Sequence, residues 1–363
     1  MHAVLRLPPV VVAAAVLAGC SQAPAASTGD GRPIMASAAP QTFTTFGKQV
    51  PSGDHAKLRV ADQVRSVDPC ALINPDALAR YGRVVTTGPY IVISECVVRV
   101  KVPGQRLTAT VTLDLAAYEP SEQDTPAVIA GESVAMDSIR NSNYQCAYKV
   151  PMRFHSSAPD TTTTAVPDIE EVPPVPYLTV VVDSLSPQRD ANCKVAGEVV
   201  TQVVAAFAEN RVPRRDAARV RVPLTDRRPC ELLEHLPDGF TVDRFDATTT
   251  PYECKFWSGN EILGASFTVT YGKRPMTPMS AEKIENFAGR PALVEEKDNP
   301  LGPKDCYLRF PVGEAVDGVL PGAEVTESER SSARIQAMVK LSGSCASVRK
   351  LAPVAVELFG ANQ

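Results

Sequence analysis

The chain has 363 residues, with 37 basic against 41 acidic side chains and a formal net charge of −4. That balance excludes nucleic-acid binding by bulk charge, and an apolar content of 44% is that of a folded globular protein. Once an N-terminal leader is set aside, some three hundred residues remain, which suit two domains better than one.

The leader begins with a single basic residue, Arg6, followed by an apolar stretch over 7–17 and the small residues Ala18 and Gly19. These are the parts of a secretory signal peptide, here residues 1–19. The apolar run is shorter than the about twenty residues a bilayer-spanning helix needs, and Pro8 and Pro9 weaken a helix there. Leu17-Ala18-Gly19-Cys20 resembles the bacterial lipobox. That resemblance implies lipidation of Cys20 and anchoring on the extracytoplasmic face of the cell membrane. Two or three acyl chains, at about 0.8 kcal/mol per buried CH₂, hold a protein where one does not. Residues 20–65 are rich in Ala, Ser, Pro, Thr and Gly as far as about 61. They read as a flexible, lipid-anchored tether that would hold the folded part about 35 Å from the membrane.

Beyond the tether lie eight cysteines: Cys70, Cys96, Cys146, Cys193, Cys230, Cys254, Cys306 and Cys345. An even set in an exported chain reads as disulfides. They fall into two groups of four with gaps of 26, 50, 47 and 24, 52, 39 residues. Local residues agree with the spacing. Asp68-Pro69-Cys70-Ala71-Leu72-Ile73 faces Arg228-Pro229-Cys230-Glu231-Leu232-Leu233, Glu95-Cys96 faces Glu253-Cys254, and Ala130-Gly131 faces Ala288-Gly289. The expectation is two tandem copies of one domain, over 66–210 and 226–361, joined by an Arg-rich linker over 211–225.

In the first copy, Pro69 and Asn74-Pro75 are helix-start signals for short turns ending near Tyr81-Gly82. In the second, Pro237-Asp238-Gly239 is a turn, so its opening helix should be shorter. Leu107, Ala109, Val111, Leu113 and Leu115 alternate as in a half-buried strand, and Phe267, Val269 and Tyr271 keep that parity. Further strands are expected near 90–100, 144–150 and 177–183, with counterparts at 252–257, 305–310 and 333–341. A closing helix places Ala196, Val199, Val200, Val203, Val204 and Phe207 on one face. Val348, Leu351, Ala352, Ala355, Val356 and Phe359 repeat that face, with Pro353 expected to kink or restart the helix. Each copy is thus an α+β unit: a disulfide-stapled antiparallel sheet with N-terminal and C-terminal helices packed on one face.

Four cysteines allow three pairings. Joining first to second and third to fourth is local and needs no threading, which predicts Cys70–Cys96, Cys146–Cys193, Cys230–Cys254 and Cys306–Cys345. Each bridge would contribute about 3–4 kcal/mol by loop entropy.

The lipobox, the tether, the opening Asp68-Pro69-Cys70-Ala71-Leu72-Ile73 and Cys254-x-x-Trp257 together resemble a family of actinobacterial envelope lipoproteins built on a domain of unknown function. The four-cysteine order with a closing helix is similar to the extracellular sensor domain of mycobacterial serine/threonine kinases, and that similarity implies the same local pairing. The first copy departs from the pattern, with Val98-Arg99 where the tryptophan would stand. The resemblance implies ligand binding or sensing at the envelope and carries over no catalytic residue.

The residues offer no nucleophile with a partnered base. His155 and His235 occupy non-equivalent places, Ser94 and Ser142 lack a histidine in context, and His55 lies in the tether. Glu170-Glu171 and Glu295-Glu296 read as loop pairs whose side chains point apart. No cysteine or histidine spacing suits a metal, so neither a metal nor a cofactor is expected. Residues 210–230 carry a net +5, and Arg211, Arg214, Arg215, Arg219 and Arg221 are candidates for binding phosphates; a solvated linker with paired arginines is the competing reading. Thr161–Thr164 before a proline-rich loop could accept O-linked sugar. The function expected is a non-enzymatic binding or sensing lipoprotein whose partner is a ligand or an envelope protein. The alternative is a structural or assembly lipoprotein presenting two domains to protein partners.

Overall fold

The computed structural model describes residues 42–104, 108–154, 175–184, 189–218, 220–246, 250–271, 276–279, 281–300 and 302–360. The signal, Cys20, residues 20–41 of the tether, Leu107, His155, Thr161–Thr164, Glu170-Glu171 and Arg219 lie outside them. Residues 40–363 cluster as one unit.

The chain enters as a hairpin, β1 (Thr42–Thr45) and β2 (Lys48–Pro51), and continues into helix α1 (Ser52–Ser66). This corrects the tether reading for 42–65. Helix α1 buries only Val60, Ala61 and Val64, so composition alone marks it as linker-like. Its ordering comes from packing against the body that follows.

After a turn and the short helix α2 (Pro75–Leu78), capped by the Asn74 side chain, seven strands follow. They are β3 (Arg83–Gly88), β4 (Glu95–Lys101), β5 (Ala109–Ala117), β6 (Thr125–Ile129), β7 (Glu132–Met136), β8 (Gln145–Pro151) and β9 (Tyr177–Asp183), closed by helix α3 (Arg189–Ala208). They form an antiparallel sheet in the order β3-β4-β5-β9-β8-β7-β6. A 3₁₀ helix over Pro229–His235 then leads to β10 (Arg244–Asp246), β11 (Glu253–Ser258), β12 (Glu261–Tyr271), β13 (Glu282–Phe287), β14 (Arg290–Lys297), β15 (Asp305–Asp317), the short helix α4 (Glu327–Ser332), β16 (Arg334–Ser344) and helix α5 (Cys345–Phe359). The second sheet runs β10-β11-β12-β16-β15-β14-β13, also antiparallel, and repeats the first order position for position.

All four expected disulfides are present: Cys70–Cys96, Cys146–Cys193, Cys230–Cys254 and Cys306–Cys345. Val111, Leu113 and Leu115 of β5 and the apolar faces of α3 and α5 are buried as the periodicities require, while Ala109 is half-buried. Helix α5 passes Pro353 without a restart. The ring sits on the half-buried flank, while six buried residues on the other face hold both halves of the helix to the sheet. The second opening helix is not the shorter one, because Pro229–His235 winds as seven 3₁₀ residues before the Pro237 turn.

Six strands had no distinct sequence signal: β3, β6, β7, β10, β13 and β14. The Ala-Gly pairs explain four of them. Ala130 and Gly131 have φ of 51° and 82°, and Ala288 and Gly289 have φ of 48° and 79°. Each pair is the two-residue loop of a hairpin, between Ile129 and Glu132 and between Phe287 and Arg290. Two successive positive φ angles are the geometry of a type I′ turn, whose twist matches paired strands.

Candidate functional site

The two sheets meet through backbone as well as side chains. Strand β3, the edge of the first sheet, is covered by residues 318–320. The Thr87 amide donates to the Gly318 carbonyl (2.9 Å) and the Leu320 amide donates to the Val85 carbonyl (3.2 Å). A Cβ on Gly318 would lie 2.9 Å from the Ala333 carbonyl oxygen and 3.0 Å from that of Thr87, so the approach needs glycine. From the other side, Ile91 and Val92 run beside the end of β12. Val269 donates to the Ile91 carbonyl at 3.0 Å. The next residue, Ile93, is 0% exposed and belongs to the hydrophobic core of the second sheet.

Arg215 locks this junction. It is buried, donates through Nε to the Arg65 carbonyl (2.9 Å) and through Nη2 to the Ile93 carbonyl (2.8 Å), and lies 5.4 Å from the Tyr252 ring centroid. Burial pushes the Tyr252 hydroxyl up to about 12, against the lowering effect of Arg215, and the hydroxyl donates to the Thr225 carbonyl. Burial likewise raises the nearby Asp68 carboxyl, with Arg215 and the Cys70 amide opposing.

The hairpin and α1 reach past the first sheet to the opening of the second. Phe46 is buried in the second core, and Leu58 packs against it. The Arg228 guanidinium donates to Asp62 at 2.5 Å and sits 5.8 Å from the Phe46 ring centroid. Between these elements lies a cleft of about 600 Å³, within the range of small-molecule sites. Its floor is Phe46, Leu58 and Pro229, and its walls carry charges of both signs: Arg59, Arg65 and Arg228 against Asp62, Asp226, Glu231, Glu234 and Glu253. Glu231 is held by the Arg228 amide and the Arg227 side chain, and Asp62 also takes Arg65 at 2.8 Å. A recess of about 210 Å³ shares Asp62, Arg65 and Asp226 with the cleft and adds Arg214, Arg215 and Asp216.

The arginines singled out in the sequence do not converge on one point. Arg214 and Arg215 line the recess, Arg211 pairs with Glu209 on the surface, and Arg221 lies 3.9 Å from Asp226. Arg59, Arg65 and Arg228, not among the candidates, are the cations of the main cleft. His55 lines that cleft and His235 is exposed. Glu295 and Glu296 sit in β14 rather than a loop, and they do point apart: Glu295 pairs with Lys297, and Glu296 takes Arg349 of α5. Arg349 also bonds Glu285, and these bonds hold both carboxyls below the usual range. Glu296, Cys306 and Cys345 lie together, but the two sulfurs are joined and offer no thiolate for a metal.

No sequence signal pointed to the cleft. Its walls are brought together over long separations, such as the 166 residues between Asp62 and Arg228. Comparison of the chain with family models, curated proteins and solved structures found no match. The four disulfides fit an oxidising, extracytoplasmic compartment. Among the described residues no helix is long and apolar enough to cross a membrane.

Proposed function

We infer that this protein is an extracytoplasmic binding or sensing module, lipid-anchored through Cys20, that holds a polar ligand in the cleft between the 42–66 segment and the second sheet. The carrying observation is the cleft itself. It has about 600 Å³ of space between α1 and the opening of the second sheet, where Arg228 clamps Asp62 and Asp62 also pairs with Arg65. Such walls suit a ligand with both acidic and basic or hydroxyl groups better than a simple anion. Binding is favoured over chemistry because Asp62, Arg65, Arg228 and Glu231 are held by ion pairs and hydrogen bonds rather than poised around a nucleophile.

The same reading takes the two sheets as tandem copies of one domain. Matched strand order, disulfide positions and Ala-Gly turns support it. It also keeps the kinship with actinobacterial envelope lipoproteins and kinase sensor domains as a proposal resting on the motifs. The test is native mass spectrometry of the full chain extracted from its own envelope. The expected result is an added mass that a Thr44→Trp variant, which fills the cleft mouth, no longer carries. A wild-type protein that emerges without added mass under gentle extraction would overturn the binding reading.

A further inference from the structure

The face of the second sheet turned away from α5 differs in kind from its counterpart in the first. In β11, β12, β16 and β15 the buried core residues alternate with a second set that points the other way. Cross-strand pairing puts Lys255, Gly264, Ser342 and Tyr307 in one row across these four strands. The next row brings Ser266 opposite Lys340. The equivalent row of the first sheet is Val97, Thr112, Val181 and Ala147. There Val97, Val181 and Ala147 are buried, whereas in the second sheet Lys255 is exposed and Gly264, Ser342 and Tyr307 are half-exposed.

The open row is a shallow trough. Its floor is small and polar: a Cβ on Gly264 would come within 2.6 Å of the Ser342 hydroxyl. Each side carries an aromatic ring beside cations. Lys297 and Lys340 place their ammonium groups 4.7 and 5.0 Å from the Tyr307 ring centroid, and Arg244 lies 4.6 Å from that of Trp257. Trp257 and Tyr307 stand three strands apart and two residues out of line, about 16 Å at the usual strand spacing and rise. Glu295, opposite Tyr307 in β14, pairs with Lys297 at 3.3 Å, so the Lys340 ammonium carries most of the attraction for an anion at this ring. Rings flanking a hydroxyl-lined floor suit the faces of sugars, and the flanking cations suit acidic groups on those sugars.

We propose that this trough is a second binding site, separate from the cleft, for an extended anionic glycan bearing carboxylate or phosphodiester groups. A glycan fits better than a lipid surface because the central row is glycine and serine, and the two large exposed apolar side chains on this face, Ile262 and Ile284, stand on β12 and β13 with three strands between them rather than as the patch that bilayer insertion needs.

The test measures binding of the full chain to polygalacturonate, with neutral dextran and phosphatidylglycerol vesicles as comparisons. Wild type should bind polygalacturonate with an affinity that falls as salt rises, and should not bind dextran. A Lys297→Gln/Lys340→Gln double variant should lose at least tenfold. Tyr307→Ala should lose at least fivefold while Tyr307→Phe stays within twofold of wild type, a split that charge alone does not produce. Thr44→Trp, at the cleft, should bind as wild type does. Each variant is first checked for four intact disulfides and native circular dichroism, and the lysine double variant keeps the test decisive if Tyr307→Ala fails to fold. Equal binding of dextran and polygalacturonate, unchanged affinity in the lysine double variant, or binding to vesicles without binding to polygalacturonate would each overturn the proposal.

Discussion

Ile93 belongs by sequence to the first sheet and by packing to the core of the second, where it is 0% exposed. Truncating it to alanine removes three carbons from that core. At about 0.8 kcal/mol per methylene, transfer alone costs about 2.5 kcal/mol. The neighbouring backbone is pinned by the Ile91 and Ile93 carbonyls, so the site cannot collapse and a cavity term adds to the loss. The expected cost is about 3–4 kcal/mol, within the usual range for Ile→Ala in a core. The chain's one tryptophan, Trp257, lies in β11 and reports on the second sheet. Urea unfolding followed by its fluorescence, with disulfides kept oxidised, should show a midpoint lower by about 1–2 M for Ile93→Ala at an m-value of about 2–3 kcal/mol/M. Ile139→Ala, at a position 86% exposed, should leave the midpoint unchanged and serves as the control. If Ile93→Ala moves the Trp257 transition no further than Ile139→Ala does, the two sheets are not energetically one body and the argument fails.

Three other outcomes follow from the same geometry. Asp124 is buried; burial alone would raise its carboxyl, but the Lys149 ammonium at 2.9 Å and the amides of Ser138 and Ser121 outweigh that and hold it well below the usual range. Its contribution is therefore present above the unfolded-state pKa, about 3.9, and is lost as pH falls below it; Asp124→Asn should flatten the acid limb of a stability–pH curve, and an unchanged limb would refute the assignment. Ala288 is exposed with φ of 48°, so Ala288→Asn, better suited to a type I′ turn, should raise stability by about 0.5–1 kcal/mol in denaturant titration; a loss would mean that the turn is not the source of strain. Replacing Cys306 and Cys345 with alanine opens a loop of 39 residues and should cost about 4 kcal/mol by loop entropy, read as a lower thermal midpoint; a loss under 1 kcal/mol would show that the packing of α5 carries the stability unaided.

What could be read from the sequence was local or repeated. The disulfide pairs, the buried faces of α3 and α5 and the central strands follow from cysteine spacing and apolar period, signals that need no knowledge of partners. The segment over 42–66 was misread because its stability is borrowed. Val60, Ala61 and Val64 are too few to announce a helix, and Phe46 and Leu58 find their core in residues beyond position 220. The cleft was hidden for the same reason: Asp62 and Arg228 look like ordinary surface charges until the fold brings them together. Ala130-Gly131 and Ala288-Gly289 were visible as matching landmarks, but alanine is an uncommon residue at positive φ, so their role as turns stayed unread. Strands β3 and β10 carry little alternation because each lies at a sheet edge with one neighbour in its own sheet.

The route of the chain through the hairpin has a mechanical consequence. Because Phe46 is seated in the second core and Asp62 is clamped by Arg228, tension applied upstream of Thr42 does not arrive first at the sheet that comes next in sequence. The load enters through the antiparallel pairing of β1 with β2 and reaches the C-terminal half at Phe46 before it reaches the first core, which holds α1 further along through Val60 and Val64. The segment over 42–66 thus carries a pull along the chain into both cores, the second before the first.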